Sequence, residues 1–212
     1  NKVNVGPYVS KNIALSLATG SWVTGQDADD WSHPQRLENH LSTVLAGESN
    51  LRASLTFMVR IRTDGAFDSF SRTGPFSPDG VTRVSSISTL FHRRTLMERL
   101  GYWDSVRFAA DSEMIARART VLGDRFGELN QLGMICLSLP TSLTNDPSRG
   151  ISAGTGGGLS PTRQAFKTAW QAWHKSLRPV KAPLMEFPPA AERPYAAPDE
   201  MIVPVADILK NL

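Results

Sequence analysis

Three observations predict an α/β fold. Helical and strand-like patterns alternate through about residue 140, the pattern of a sheet covered by helices. One short apolar strand ends in the acidic string Asp27-Ala28-Asp29-Asp30. Open α/β sheets bind their ligands beyond the carboxyl ends of strands, so the string falls where a site belongs. Finally, 212 residues at 41% hydrophobic and 20% charged supply one substantial core with room for an appendage.

The elements follow in order. Tyr8 to Ala18 carries Ile13, Leu15, Leu17 and Ala18 at helical spacing, with Gly20 as a stop. Ser21 to Thr24 is a strand. Pro34 suits the first turn of a helix that runs to about Leu45, with Leu37, Leu41 and Val44 on one face. Leu51 to Arg62 alternates as a strand does, Asp64-Gly65 turns the chain, and Phe67 to Phe70 continues the sheet. Thr73 to Gly80 is a loop. Val81 to His92 reads as one strand, followed by a helix to about Leu100. Gly101 to Asp104 is a loop, Ser112 to Leu122 a helix, and Gly133 to Leu139 a short buried strand.

The composition then changes. The organisation predicted is a first domain over 1–145, a flexible Gly-rich linker over 146–160, and a C-terminal extension over 161–212. Within the extension, Thr162 to Leu177 is an amphipathic helix with Phe166, Trp170 and Trp173 as a packing stripe. Arg178 to Pro204 is proline-rich and wraps a surface without regular structure, and Val205 to Leu212 forms a last short helix.

Several functions are disfavoured. A net charge of +3 with no polybasic run does not argue for nucleic acid. The single cysteine, Cys136, sits in an apolar run; it excludes a disulfide framework and fits a reducing compartment. No apolar run approaches the ~20 residues that cross a bilayer, and no signal peptide is visible. The expectation is a cytoplasmic protein without a transmembrane segment, with peripheral contact to the inner membrane face left open. No two of the four histidines have zinc-ligand spacing with a Cys or Asp. Gly154 to Gly158 lacks the Gly-Lys-Ser/Thr of a P-loop.

The acidic string admits three readings. Asp27, Asp29 and Asp30 repel one another unless a cation sits among them, and Mg²⁺ or Mn²⁺ bridging a diphosphate suits such an oxygen-rich strand end. An EF-hand loop is the second reading, but Ser32 stands where that loop needs glycine and Pro34 starts a helix inside it. The third is a solvated turn whose acids favour the helix N-terminus that follows. Asp111 likewise reads either as a helix cap or as a general base. Glu113 and Arg117 are spaced as an i,i+4 pair of small energetic consequence.

Together these pieces resemble the family 2 glycosyltransferases of the GT-A fold. Lys11-Asn12-Ile13-Ala14-Leu15 with Ala18-Thr19-Gly20 is similar to the family's Arg-Asn-x-Ala-Leu helix ending in Ala-x-Gly. Asp27-Ala28-Asp29-Asp30, with Trp31, Pro34, Arg36, Leu37 and Glu38, resembles the DxD motif and the helix after it. Ser88 to Arg94 and Gly101-Tyr102-Trp103-Asp104 resemble the strand and loop before the acceptor site. Ala110-Asp111-Ser112-Glu113 with Arg117 resembles the segment that carries the base. The resemblance covers roughly residues 5 to 140. Lys11 stands where the family has Arg, and Ala110 where it has Glu.

The resemblance implies a GT-A-like, Rossmann-like mixed sheet flanked by helices, and inverting transfer from a nucleotide-diphospho-sugar, commonly a UDP-sugar. The acceptor would be a hydroxyl of a glycan or glycoconjugate. Asp27, Asp29 and Asp30 would hold Mn²⁺ or Mg²⁺, Lys11, Asn12, Asp27 and Asp29 would bind donor, and Asp111 would be the base. Trp103, Asp104, Glu113 and Arg117 would support the acceptor side. The family's first nucleotide-binding strands would lie before Asn1, so the chain, which starts without Met, reads as a piece of a longer protein. Two alternatives remain: a non-catalytic carbohydrate-binding or interaction module of the same fold, and a nucleotidyltransferase with a similar acidic strand end.

Overall fold

The computed structural model describes residues 1–46, 50–68, 77–151, 154, 158–177 and 184–212. Phe70, Thr73, the centre of the Gly154 to Gly158 run and Arg178 lie outside the described residues, so the expectations placed on them are not carried further.

The described chain is a mixed α/β structure. Helix α1 spans Gly6–Leu17, and strand β1, Trp22–Thr24, follows it. A two-residue strand β2, Trp31–Ser32, comes after the acidic loop and before helix α2, Arg36–Leu45. Strand β3 covers Ala53–Ile61 and β4 covers Arg83–Val84. Strand β5, Leu90–His92, leads directly into helix α3, Arg93–Arg99. Helix α4, Ala110–Leu122, precedes strand β6, Phe126–Leu137. Helices α5, Pro161–His174, and α6, Val205–Leu209, complete the chain.

The sheet runs β1-β5-β3-β6-β2, with β4 paired to β3 beside β5. Only the long central pair, β3 with β6, is parallel among these pairings; the rest are antiparallel. Strand β3 is buried on both faces from Ala53 to Phe57, as the centre of a covered sheet must be.

Three expectations are corrected. The single strand from Val81 to His92 is two short strands interrupted by a 3-10 turn at Ser86–Ser88. Serine chemistry explains the break. Ser88 Oγ accepts the Thr56 backbone N–H at 3.0 Å and donates to Ser85 O, replacing a ladder bond with a side-chain bond. The strand expected at Gly133 begins seven residues earlier, at Phe126, because its polar first half pairs along β3 while exposing one face. The buried face of α2 is Arg36, His40 and Val44, whereas Leu37 is 48% exposed. Polar residues line that face because each finds a partner: His40 Nε2 lies 2.7 Å from Ser54 Oγ. Burial, then the Arg36 charge, pushes the His40 imidazole down to about 4, so it is neutral at ordinary pH.

The core is shared by the whole chain. Leu15, Ala53, Phe91, Leu96, Leu100, Met114 and Val121 pack between α1, the sheet and the helices α3 and α4. A second cluster joins Tyr8, Val106 and Phe108 to Phe166 and Trp170 of α5 and to Met185, Tyr195 and Met201 beyond it. Val5 and Val9 close on Val203 and Ile208. The proline-rich stretch is also tied by backbone bonds: Tyr102 N donates to Met185 O at 2.9 Å, and Arg107 N to Met201 O at 2.8 Å. Gly101 permits the first approach, since a Cβ there would sit 2.2 Å from Met185 O, and its φ is +75°. Among the described residues, no helix is long and apolar enough to cross a membrane.

Candidate functional site

Where β1 ends, the chain passes close to the 3-10 turn: a Cβ on Gly25 would lie 2.6 Å from Ile87 Cδ1. The acidic loop then begins. Gln26 ties it together by donating Nε2 to Asp27 O at 3.0 Å and to Asp30 O at 2.8 Å. Beneath it lies Arg36, only 5% exposed. Its guanidinium donates to Ser32 Oγ (2.6 Å), Thr24 Oγ1 (3.1 Å) and Gly25 O (3.3 Å). Its hydrogen-bond partners are thus neutral, and burial lowers its pKa. Arg36 therefore braces the loop at both ends, at Thr24 and Gly25 and at Ser32.

Those carboxylates diverge. Asp27 pairs with Lys11 Nζ of α1 at 2.8 Å. Asp30 turns toward β6, accepting the Leu137 N–H at 3.2 Å. Burial pushes the Asp30 carboxyl up, Asp27 and Asp29 add to the rise, and bonds from Cys136 and Leu137 offset part of it. Asp29 is exposed. Among the described residues, no three His, Cys, Asp or Glu side chains gather as a metal-ligand group. A phosphate-bound Mg²⁺ or Mn²⁺ needs only one or two carboxylates. Asp27 and Asp30 both line the cleft described next, and Asp29 does not. Asp27 and Asp30 are thus the acids of the string that line the cleft.

The cleft has a volume of about 820 Å³. Its walls carry Lys11, Asp27 and Asp30 together with Asp111, Trp103 and Arg163. The fold thus joins the two constellations that are about 80 residues apart in sequence. Asp111 does not cap α4. It is the second residue of that helix, whose start is set by Ala109 in the left-handed region at φ +70°. Tyr8 donates its hydroxyl to Asp111 Oδ1 at 2.9 Å, and Ser86 Oγ donates to Oδ2 at 2.8 Å. Arg163 stacks 4.9 Å over the Phe108 ring and donates to the carbonyls of Leu143 and Arg149.

The other residues expected at the site hold the scaffold. Asn12 is fully buried; its amide donates to Trp103 O at 2.8 Å and accepts the Trp103 N–H at 3.0 Å. That bond fixes Trp103, which does line the cleft. Asp104 is 1% exposed and points inward, accepting from Arg193 and from the Tyr195 hydroxyl at 2.7 Å. Burial raises its pKa, and Arg193 and Tyr195 pull it back. Glu113 and Arg117 are both fully buried, which corrects the expectation of a pair with little consequence. Arg117 meets both Glu113 oxygens, at 2.9 and 3.0 Å, and donates to the carbonyls of Leu100 and Tyr102. Burial pushes the Glu113 carboxyl up, but Arg117 and the bond from His174 at 2.9 Å outweigh it and hold it low. Asn12, Asp104, Glu113 and Arg117 thus lock the loop behind the cleft.

Sequence reasoning places no role on Tyr8, Ser86 or Arg163, and it names Arg36 only as part of the resemblance around the acidic string. Tyr8 had one signal, its place one helical turn before Lys11. For Arg163 there was none, because α5 reaches the cleft only through tertiary packing.

Residues 1–82 match the family model for glycosyl transferase family 2. No curated protein matches the chain. Among solved structures, it is similar to S. aureus TarS 1-349 in complex with UDP-GlcNAc, at 16% identity and a TM-score of 0.47, over 65% of this chain and 40% of that one. The TarS 1-349 structure with UDP gives 18% identity and 0.47 over 64% and 41%, and the TarS crystal structure gives 16% and 0.43 over 64% and 25%. The chain spans about 40% of the length of the TarS 1-349 chain.

Proposed function

From the premise that residues 1–82 carry a glycosyl transferase family 2 region, we propose that the protein transfers a sugar from a nucleotide-diphospho-sugar, such as a UDP-sugar, to an acceptor hydroxyl with inversion. The observation that carries this reading is one cleft lined by both the acidic loop and Asp111. A nucleotide-sugar transfer needs those two functions at one place: charge control at the diphosphate and a proton acceptor at the incoming oxygen.

In this reading Lys11 faces the diphosphate, and Asp27 and Asp30 would be the residues that hold a Mn²⁺ or Mg²⁺ ion. Bound there, the ion would supply Lewis-acid stabilisation of the departing diphosphate. Asp111 accepts the proton of the acceptor hydroxyl as that oxygen bonds to the anomeric carbon. The bond from that carbon to the diphosphate oxygen breaks on the opposite face, and its electron pair leaves with the nucleotide. Trp103 offers an aromatic wall beside Asp111 for a glycan or glycoconjugate acceptor.

Release of UDP from a panel of UDP-sugars, with and without EDTA, tests the reading. Asp111→Asn is expected to keep its fold and its affinity for UDP while turnover falls by about 10²-fold or more. Full turnover in that variant would remove Asp111 as the base. Metal-independent glycan binding without UDP release would instead favour the carbohydrate-binding alternative, in which the Lys11–Asp27 ion pair holds the loop to α1.

A further inference from the structure

We propose that Tyr8 and Ser86 are positioning residues for Asp111, and that helix α1 sets both sides of the cleft. The inference rests on the reading of Asp111 as the base.

The geometry carries it. Each carboxylate oxygen of Asp111 receives one hydroxyl, from elements far apart in sequence: Tyr8 on α1 at 2.9 Å and Ser86 in the 3-10 turn at 2.8 Å. Two donors on two oxygens fix the plane of the carboxylate. Each oxygen keeps a second lone pair for an acceptor proton. Tyr8 and Lys11 lie three residues apart on α1, so they share one face. Lys11 Nζ sits 5.5 Å from the Tyr8 ring centroid and 2.8 Å from Asp27. One turn of helix thus holds Asp111 with one side chain and the acidic loop with the next.

Tyr8 could be ordinary core. It belongs to a hydrophobic cluster, and its ring is buried. A core tyrosine whose hydroxyl merely found a partner would tolerate loss of that hydroxyl without changing the behaviour of Asp111. The groups that face this pair are Lys11 on α1, Ser86, and Arg163 on α5, whose charge acts on both Asp111 and Tyr8. Glu113 on α4 is neutralised by Arg117. Burial first, and then the Asp111 charge, drives the Tyr8 phenol well above its ordinary value. Loss of the Asp111 charge should therefore be felt at the Tyr8 phenol.

The experiment uses the full chain with ¹³C-labelled tyrosine and aspartate side chains, followed by NMR against pH, beside the UDP-release assay. Asp111→Asn should bring the Tyr8 phenol down toward ordinary values. Tyr8→Phe and Ser86→Ala should each shift the Asp111 carboxyl ¹³C signal at a fixed pH, since each removes one donor to that carboxylate. In turnover, Tyr8→Phe and Ser86→Ala should each lower kcat by about 10-fold at unchanged donor KM, the scale of one hydrogen bond to a charged group. A Tyr8 phenol that Asp111→Asn leaves unmoved in a folded protein overturns the proposal, whether or not any donor turns over. A moved Tyr8 phenol and an inactive Asp111→Asn, with kcat unchanged in Tyr8→Phe and Ser86→Ala, also overturn it and leave the base reading standing. A fully active Asp111→Asn removes the base reading and the positioning role with it.

Discussion

Arg117→Met gives the most demanding test of the scaffold. The wild-type guanidinium satisfies four acceptors at full burial: two Glu113 oxygens and the carbonyls of Leu100 and Tyr102. Methionine fills comparable volume but donates nothing. It leaves a carboxylate with His174 at 2.9 Å, the Tyr102 carbonyl without the Arg117 donor, and the Leu100 carbonyl with the Met185 N–H at 3.1 Å. Removing one partner of a buried ion pair costs about 3–5 kcal/mol. Against a total of about 5–15 kcal/mol for a domain, that is a large share. With a urea slope of about 2 kcal/mol/M, the midpoint should fall by about 2 M. Tryptophan fluorescence reads it directly, since Trp103 and Trp173 flank this region.

The pH dependence sharpens the test. In the wild type Glu113 is held below its unfolded value, so its contribution is present above pH about 4.3 and is lost as pH falls through the depressed value. In Arg117→Met burial dominates, the carboxyl rises, and protonation relieves the unpaired charge. The gap between variant and wild type should therefore be widest at neutral pH and narrow as pH falls toward 4.5. A loss below about 1 kcal/mol, equal at pH 7 and pH 5, would refute the argument. Glu113→Leu combined with Arg117→Met should recover much of the loss, because it removes both charges.

Other outcomes follow from the same contacts. Gly101→Ala should cost more than about 2 kcal/mol in urea unfolding, from the positive φ and the 2.2 Å approach to Met185 O, and should speed proteolysis after residue 184. Stability unchanged within 0.5 kcal/mol, on the scale of a neutral surface change, would contradict that account. Lys11→Met removes a part-exposed ion pair and should change stability by less than about 1 kcal/mol. Its UDP affinity by calorimetry should nevertheless fall by about 10-fold, and an unchanged affinity removes Lys11 from the donor site. Cys136 is buried, and burial and the neighbouring Asp30 both push its thiol up. It should resist a thiol reagent at pH 8 and label fully in denaturant, and rapid labelling of the folded protein would show that the strand opens.

Local chemistry decides some features by itself. Apolar spacing marked α1, α4 and α5, because these helices bury one stripe, and the period-2 run from Phe57 marked β3, whose second half alternates in burial while its first half is covered on both faces. The acidic loop and the existence of a helix after it were legible, but Pro34 precedes that helix instead of opening its first turn, which begins at Arg36 after Gln35. Where side chains answered to distant partners, the local pattern misled. Four serines and threonines broke the strand before His92 by bonding to β3 and to one another, and α2 buried Arg36 and His40 because Ser32, Thr24 and Ser54 were waiting for them.

The sequence by itself determined the α/β class, the acidic strand end and Asp111 as a residue worth weighing. Only the tertiary structure decided which carboxylates share a cleft, that Asn12, Asp104, Glu113 and Arg117 are buried fasteners, and that Tyr8 and Ser86 grip Asp111. The reason is physical. A residue's type and spacing fix what it can donate or accept, but burial and a partner about 100 positions away fix what it does, and neither is written in the neighbouring residues.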